Sequence, residues 1–198
     1  MFNIQNITEF LIRLLYMLPA IVISLSVHEL MHGMVAYSLG DPTAKNAGRL
    51  TLNPVSHFDP IGFLMLVFFS FGYAKPVPIN ARYFKHQKPG IVLCSIAGPL
   101  SNIIMAFIGF NLLGLVILFS QKINSTLTLV LLNFLYYFVV LNLGLAIFNL
   151  IPISPLDGSK VLYSLLPDRI YYKILQYEQY GFIILIALIF VGGFDSIL

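Results

Sequence analysis

Long apolar runs separated by short polar stretches dominate this chain. Four runs predict helices, at about residues 8–39, 90–119, 127–151 and 179–194. With a rise of about 1.5 Å per residue, a helix of about 20 residues crosses a hydrocarbon core of about 30 Å. The first three runs exceed that length and the fourth is shorter. The pattern therefore predicts an all-α membrane bundle with about four spanning helices.

The polar region between the first two runs predicts a short membrane-associated β region. Within residues 43–54, the alternation Arg49-Leu50-Thr51-Leu52 is typical of a strand. Residues 75–80 contain two prolines, which fix φ and restrict the residues before them to extended conformations. The apolar run over residues 60–73 is short for a spanning helix and is typical of a re-entrant segment.

The composition supports a single integral-membrane domain over residues 1–198. Of its 198 residues, 59% are hydrophobic and 10% are charged, whereas soluble proteins have roughly 25% charged residues. We expect a core at about residues 8–166 and an additional C-terminal helix at about 179–195. The N-terminus has no basic region and no small-residue cleavage site, so the first run is interpreted as a retained helix. No motif indicates nucleic-acid binding, and a single cysteine excludes an internal disulfide.

The placement of basic residues predicts the topology of a multi-pass cell-membrane protein. If residues 60–73 re-enter, one side of the membrane receives Lys45, Arg49, Lys75, Arg82, Lys85, Lys88, Lys160, Arg169 and Lys173. If they span, the basic loop 75–89 lies opposite the loop 40–59. The positive-inside rule favours the re-entrant alternative. Residues 40–89 and 152–178 are then cytoplasmic, and both termini are outside.

The segment His28-Glu29-Leu30-Met31-His32 is the main candidate for chemistry. Two histidines four residues apart lie on one face of a helix and can bind one metal ion, and the adjacent glutamate can act as a base toward water. Ionisable groups at membrane depth are expensive unless they are paired or coordinated. The segment therefore predicts a metal site on the cytoplasmic side of the membrane, against the alternative of a histidine–carboxylate packing network.

A catalytic zinc usually has three protein ligands, so a third residue is required. The acidic candidates are Glu9, Asp41, Asp59, Asp157, Asp168, Glu178 and Asp195. Asp157 is favoured because it ends a proline-punctuated approach to the membrane edge and precedes a glycine; its alternative role is an N-cap for the following helix. Asp59 is the second candidate, although Asp-Pro also suits a turn. Glu178 would be the third ligand if the protein were a membrane metalloprotease of another clan, in which a glutamate on a later helix binds the metal.

Three motifs together resemble the site-2 protease family of intramembrane zinc metalloproteases. They are HELMH in a membrane helix, GPLSN (residues 98–102) in the next crossing, and N-x-x-P-x-x-P-L-D-G (residues 149–158) at the end of the one after. GRLTLNPVSHFDPIG and AKPVPIN further resemble the small bacterial Rip-type members. The resemblance covers about residues 20–165, and the sequence contains no PDZ-like insert. Ser159 replaces a glycine that many members have.

The resemblance implies an enzyme that cleaves peptide bonds in or near transmembrane segments of membrane-protein substrates, with one zinc ion per chain and a helical core that includes a short β region. It assigns metal ligands His28, His32 and Asp157, general base Glu29, and residues near the substrate or oxyanion Gly98, Asn102 and Asn149. His57 is a further candidate for a hydrogen bond behind the metal ligands. The alternative function is a non-catalytic membrane protein that binds or transports metal ions or protons.

Overall fold

A computed structural model describes residues 4–69, 74–122, 124–177, 180–181 and 187. The α-helices in these ranges are α1 (Ile4–Ser38), α2 (Thr43–Asn46), α3 (Pro60–Phe69), α4 (Gln87–Phe119), α5 (Ser125–Leu150), α6 (Asp157–Ser164) and α7 (Asp168–Leu175). Short 3-10 turns cover Pro54–His57, Ala81–Tyr83 and Ser120–Lys122. The described part of the chain is therefore helical, as the apolar runs predict.

Three of these helices are long and apolar enough to cross a membrane. They are Leu11–Ser38 of α1, α4 with its terminal turn (Gln87–Lys122), and α5. The predictions at residues 8–39, 90–119 and 127–151 are confirmed as helices of spanning length. The predicted fourth crossing, at residues 179–194, lies almost entirely outside the described residues.

Helix α4 lies at the centre of the bundle and packs against both α1 and α5. Small buried residues line its contacts: a Cβ added at Gly109 would lie 2.8 Å from Phe138 on α5. Such residues allow close approach between membrane helices, where packing rather than water exclusion drives association. Large side chains point outward, and Phe107 and Leu118 are 68% and 71% exposed. This outer surface suits contact with lipid.

Helix α1 ends in a tight glycine-dependent turn that leads directly into the loop beside the HELMH segment. Gly40 has a φ of +99°, a conformation that L side chains rarely adopt. The N–H of Asp41 donates to the carbonyl of Ala36 at 3.0 Å and the N–H of Gly40 donates to that of Tyr37 at 3.0 Å, which satisfies carbonyls at the helix end. The turn leaves Asp41 fully buried against the bundle.

The predicted β region is absent from the described residues. Residues 43–46 form α2 instead, in which Asn46 N–H donates to the Pro42 carbonyl at 2.9 Å. A strand needs a neighbouring strand to pair with, and the peptide groups of residues 75–80 bond mainly to side chains. Residues 74–80 lack regular structure, and Asn80 has the extended conformation that the prolines predict. No strand is present at residues 43–54, so the predicted β region is not confirmed.

The residues before and after the segment that contains α3 lie next to each other. Helix α3 has ten residues, about 15 Å of helix, which is half of a hydrocarbon core. The N–H of Lys75 donates to the carbonyl of His57 at 2.9 Å, so the residues on either side of the segment are in contact. Residues 70–73 lie outside the described residues. The re-entrant hypothesis stays a prediction, and this contact agrees with it.

Candidate metal centre

His28, His32 and Asp157 come together where α1, α4 and α6 meet. The Nε2 atoms of the two histidines are 3.0 Å apart, and Asp157 Oδ2 lies 3.3 Å from His28 Nε2 and 3.1 Å from His32 Nε2. All three residues are buried. The structure therefore assembles the two histidines with the favoured acidic candidate, which is 125 residues further along the chain than His32.

The other ring nitrogens of both histidines are already hydrogen-bonded to acceptors. His28 Nδ1 donates to Asn102 Oδ1 at 2.6 Å, and His32 Nδ1 donates to the carbonyl of Cys94 at 2.6 Å. In the neutral rings, both Nε2 atoms are then unprotonated. Two nitrogen lone pairs and a carboxylate oxygen face one another at about 3 Å, an arrangement that a shared cation would stabilise.

The spacing of these donor atoms fits zinc. Zinc binds histidine nitrogen and carboxylate oxygen at about 2.0–2.1 Å in tetrahedral geometry, which places any two ligand atoms about 3.3 Å apart. The three separations here are 3.0, 3.1 and 3.3 Å. The residues present therefore fit a zinc site with three protein ligands, the pattern of catalytic rather than structural zinc.

The orientation of His28 is set by a buried chain of polar side chains. Asn102 Nδ2 donates to Asn142 Oδ1 at 2.8 Å, and Asn142 Nδ2 donates to Ser24 Oγ at 2.8 Å. These three residues are fully buried. Because each amide has its donor side committed, Asn102 must present its oxygen to His28. Such partners behind a metal ligand select its tautomer and hold its ring.

Gly98 provides the space that the two imidazoles occupy. A Cβ added there would lie 2.4 Å from His32 Nε2 and 2.6 Å from His28 Nε2. These distances are shorter than real Cβ contacts, so any larger residue would push the rings apart. Gly98 and Asn102 are one helical turn apart on α4. The first therefore makes room for the histidines, and the second orients His28.

Asp157 reaches the site because α6 begins directly against the end of α5. A Cβ added at Gly158 would lie 2.2 Å from the Leu150 carbonyl oxygen, so only glycine allows this approach. The N-cap of α6 is Leu156, and Asp157 lies in the first turn of the helix, so the alternative N-cap role is not observed.

Glu29 is held by the backbone of the irregular segment rather than by another helix. Val77 N–H donates to Glu29 Oε2 at 2.8 Å. Gly33 makes this approach possible, since a Cβ there would lie 2.6 Å from Leu50 Cδ2 and 3.1 Å from Val77 Cγ1. The carboxylate therefore has one oxygen fixed beside the histidine pair.

A cleft of about 700 Å³ opens onto His28, His32, Asp157 and Glu29. Its other walls come from the irregular segment, the start of α4, the end of α5 and the α6–α7 region. They include Pro76, Val77, Ile79, Arg82, Ile91, Ser95, Asn149, Pro155, Lys160 and Tyr171. The cleft combines apolar walls with polar groups at its base, which is typical of a binding site.

The remaining candidates are placed less centrally. Asn149 lines the cleft, and its Nδ2 donates to the Leu145 carbonyl of its own helix at 2.9 Å. Asp59 caps α3 by accepting from the N–H groups of Ile61 and Gly62 at 3.0 and 2.9 Å, so the second-candidate ligand serves as a turn residue.

His57 is buried but hydrogen-bonds within its own loop. Its Nε2 lies 2.8 Å from the carbonyl of Thr51, and its Nδ1 has no hydrogen-bond partner among the described residues. Its predicted hydrogen bond behind the metal ligands is not observed. Glu178, the ligand of the other-clan hypothesis, lies outside the described residues.

Sequence reasoning missed several buried polar residues that support the site. Ser24 lies one turn before His28, so helical periodicity already puts both on one face. Asp41 accepts from Asn80 N–H at 2.6 Å and from Thr43 N–H at 2.9 Å. Arg49, 8% exposed, binds the backbone of residues 75 and 76. No local pattern distinguished these loop residues from solvated ones.

The comparisons with known proteins agree with this geometry. The model of Peptidase family M50 matches residues 16–192. "Putative zinc metalloprotease YwhC" of Bacillus subtilis is 44% identical over 173 residues, covering 87% of this chain and 79% of that protein. "Putative zinc metalloprotease Rip2" of Mycolicibacterium smegmatis is 28% identical over 174 residues, covering 85% of this chain and 64% of that protein.

A third relative, from the archaeon Methanocaldococcus jannaschii, is also named a putative zinc metalloprotease. It is 31% identical over 141 residues, covering 68% of this chain and 62% of that protein. The chain thus spans less than two thirds of the length of this protein and of the mycobacterial one. No solved structure matches the chain.

Proposed function

The chain belongs to peptidase family M50, the site-2 protease family of zinc metalloproteases, and on that premise we propose that it hydrolyses peptide bonds within or next to transmembrane segments of other membrane proteins. One observation carries the proposal. Three metal-binding atoms and a glutamate converge at the base of a cleft, at one end of three helices long enough to span a membrane.

Zinc would be held by His28, His32 and Asp157. When bound, it supplies Lewis-acid chemistry, polarising a carbonyl and making water a stronger acid. The three residues would contribute one singly charged carboxylate and two neutral imidazole nitrogens, and the hydrogen bonds of the rings to Asn102 and Cys94 keep the rings in place. The role of the helices is therefore to fix the ligands before substrate arrives.

Glu29 is the proposed general acid–base. Its carboxylate takes a proton from the attacking water and delivers it to the leaving amine nitrogen. One of its oxygens accepts from Val77 N–H, so the other is left to face the cleft. Holding the base at a defined position reduces the reorganisation needed during proton transfer.

The substrate is proposed to be a locally unwound membrane segment. A peptide bond inside a helix has its carbonyl engaged with the N–H four residues later, so cleavage requires an opened stretch. Pro76, Val77 and Ile79 line the cleft, and their backbone could pair with that stretch as in other modes of peptide capture. Asn149 also lines the cleft, and its second N–H is proposed to stabilise the oxyanion.

The proposed orientation has the cleft on the cytoplasmic side. The C-terminal ends of α1 and α5 and the N-terminal end of α4 lead into the loops at residues 39–86 and 151–177. These loops carry most of the basic residues, which the positive-inside rule assigns to the cytoplasm. Water would then reach Glu29 from the cytoplasm without crossing the bilayer.

The experiment uses the purified full-length protein in proteoliposomes with a panel of tagged single-span membrane proteins. Wild-type protein should cleave at least one member, and mass spectrometry should map the new termini within or beside its apolar segment. Glu29→Gln should retain zinc, measured by elemental analysis, and should produce no cleavage. Turnover by Glu29→Gln would contradict the role proposed for Glu29. Metal flux across the vesicles without any cleavage by wild type would instead support the alternative of a transport protein.

A further inference from the structure

The irregular segment at residues 75–80 is held from outside at four points of its backbone. Arg49 Nη2 donates to the carbonyls of Lys75 and Pro76 at 2.6 and 3.3 Å. The carbonyl of His57 accepts from Lys75 N–H at 2.9 Å, and the carboxylate of Asp41 accepts from Asn80 N–H at 2.6 Å. Side chains and a loop carbonyl thus replace the strand pairing that this segment lacks.

Arg49 is connected to Glu29 through a single peptide unit of this segment, the one between Pro76 and Val77. Its guanidinium binds the carbonyl of Pro76, and that carbonyl belongs to the same peptide unit as the Val77 N–H. This N–H donates to Glu29 Oε2. Because a peptide unit is planar and rigid, fixing its oxygen also fixes the direction of its N–H.

The prolines on both sides make this connection specific. Pro76 and Pro78 have no N–H, so Val77 is the only residue of the three that can donate to Glu29. Both also restrict φ, which limits the ways in which the peptide unit can turn. Val77 is 7% exposed, so water does not readily replace its hydrogen bond.

The position of Arg49 is energetically demanding. It is 8% exposed, and no carboxylate forms an ion pair with it in the described part of the chain. A buried cation without a countercharge is expensive. The main compensation is one guanidinium nitrogen, Nη2, which donates to two backbone carbonyls, while Nε has no hydrogen-bond partner among the described residues.

We propose that Arg49 is a positioning residue for Glu29, acting through the 76–77 peptide unit. Arg49 orients that unit, and the Val77 N–H in turn holds the Glu29 carboxylate toward the cleft. The inference rests on the proposed function for its catalytic consequence. The hydrogen-bond relay itself is a property of the protein whether or not a substrate is known.

The first test compares Arg49→Lys with Arg169→Lys, an exchange of the same type at an exposed position on α7. Lysine keeps the charge but loses the planar fork. With the best-cleaved member of the substrate panel, Arg49→Lys should lower kcat about 10- to 100-fold, as for other small misplacements of a catalytic group. KM and zinc content should be close to those of wild type, and Arg169→Lys should match wild type throughout.

Hydrogen exchange of the Val77 amide gives a readout that does not need a substrate. In zinc-loaded wild-type protein this amide should be protected, and in Arg49→Lys it should exchange at least about tenfold faster. Since Val77 lies between two prolines, mass spectrometry can assign its exchange without neighbouring amides. Wild-type protection and wild-type kcat in Arg49→Lys would overturn the proposal.

A second pair of variants tests the proposed connection between Arg49 and Glu29 if Arg49→Lys does not fold. Val77→Pro removes the N–H, whereas Val77→Ala keeps it and removes only side-chain contacts. The kcat of Val77→Pro should be at least about tenfold lower than that of Val77→Ala. Equal kcat values for the two variants would overturn the proposal. In a double variant with Arg49→Lys, Val77→Pro should add little further loss, because both changes break one connection.

Failure of the proposed function gives a different pattern. If wild-type protein cleaves no substrate, the peptidase proposal fails, while exchange at Val77 still tests the relay. If wild type cleaves and Arg49→Lys cleaves equally well with an equally protected Val77, only the relay fails.

Discussion

The two histidines and the glutamate of the HELMH segment are neighbours in sequence but are held in different ways. The imidazoles are fixed by membrane helices: small residues on α4 make room for them, and a buried amide chain through Asn102 and Asn142 sets the His28 ring. Glu29 is fixed by an irregular loop segment through one backbone N–H. One turn of α1 therefore joins a rigid region to one built from loops.

The difference matches the roles proposed for these groups. Metal ligands need constant separations, which interlocked helices supply because each side chain is enclosed on several sides. A general base must be placed accurately but must also exchange a proton with water and substrate, so it has to face an opening. The comparison predicts that changes on the helix side remove zinc, whereas changes on the loop side keep zinc and slow turnover.

Gly98→Ala should have the largest effect. Its Cβ would lie 2.4 and 2.6 Å from the two Nε2 atoms, so the histidines could not keep their separation. The purified variant should contain no zinc and show no cleavage. Gly114→Ala on the same helix is the matched control, since a Cβ there has no atom within 4 Å. Zinc analysis that finds Gly98→Ala fully loaded would contradict the proposed crowding.

Asp157→Ala should also lose zinc while the bundle remains folded. Removing the carboxylate leaves two nitrogen ligands, fewer than the three of a catalytic zinc site. Asp59→Ala is the control, because its carboxylate caps α3; it should keep zinc and lose at most about 1–2 kcal/mol of stability. Elemental analysis together with thermal unfolding in detergent checks both. If Asp59→Ala lost zinc and Asp157→Ala kept it, Asp59 rather than Asp157 would be the third metal ligand.

The buried amide chain predicts graded losses of zinc affinity. Asn102→Leu leaves the Nδ1–H of His28 without its acceptor and should weaken zinc binding about 10- to 100-fold. Asn142→Leu acts one step further away, so its loss should be smaller. The control is Asn133→Leu, since among the described residues the Asn133 amide bonds to its own helix, at the Leu129 carbonyl. Competition with a chelator of known affinity measures all three; equal affinities would show that the chain does not hold His28.

Asp41→Asn should have the smallest effect and tests the loop side. Asparagine can accept at only one oxygen, so either the bond to Asn80 N–H or the bond to Thr43 is weakened. We expect full zinc content, a stability loss of about 1–3 kcal/mol and a decrease in kcat that is smaller than that of Arg49→Lys. Calorimetry and the cleavage assay measure these. If Asp41→Asn folded but contained no zinc, the loop residues would also be needed to hold the metal, and the predicted difference between the helix side and the loop side would be wrong.

The sequence by itself determined the features that depend on neighbouring residues. Apolar runs of sufficient length predicted α1, α4 and α5 because a membrane helix satisfies its own backbone hydrogen bonds. The His28–His32 pair followed from helical periodicity, which places residues four apart on one face. The paired prolines predicted an irregular, extended segment at residues 75–80 for an equally local reason.

The tertiary structure decided everything that depends on contacts between distant segments. The sequence favoured Asp157 over Asp59, but the contact of Asp157 with the two histidines required α6 to start against the end of α5. The predicted strand is not observed at residues 49–52, and the backbone of the extended segment at residues 75–80 bonds to side chains of Arg49, Glu29 and Asp41 instead. Arg49, in the same loop, looked like one more basic residue. Its burial over the 76–77 peptide arises only from packing, which no local pattern encodes.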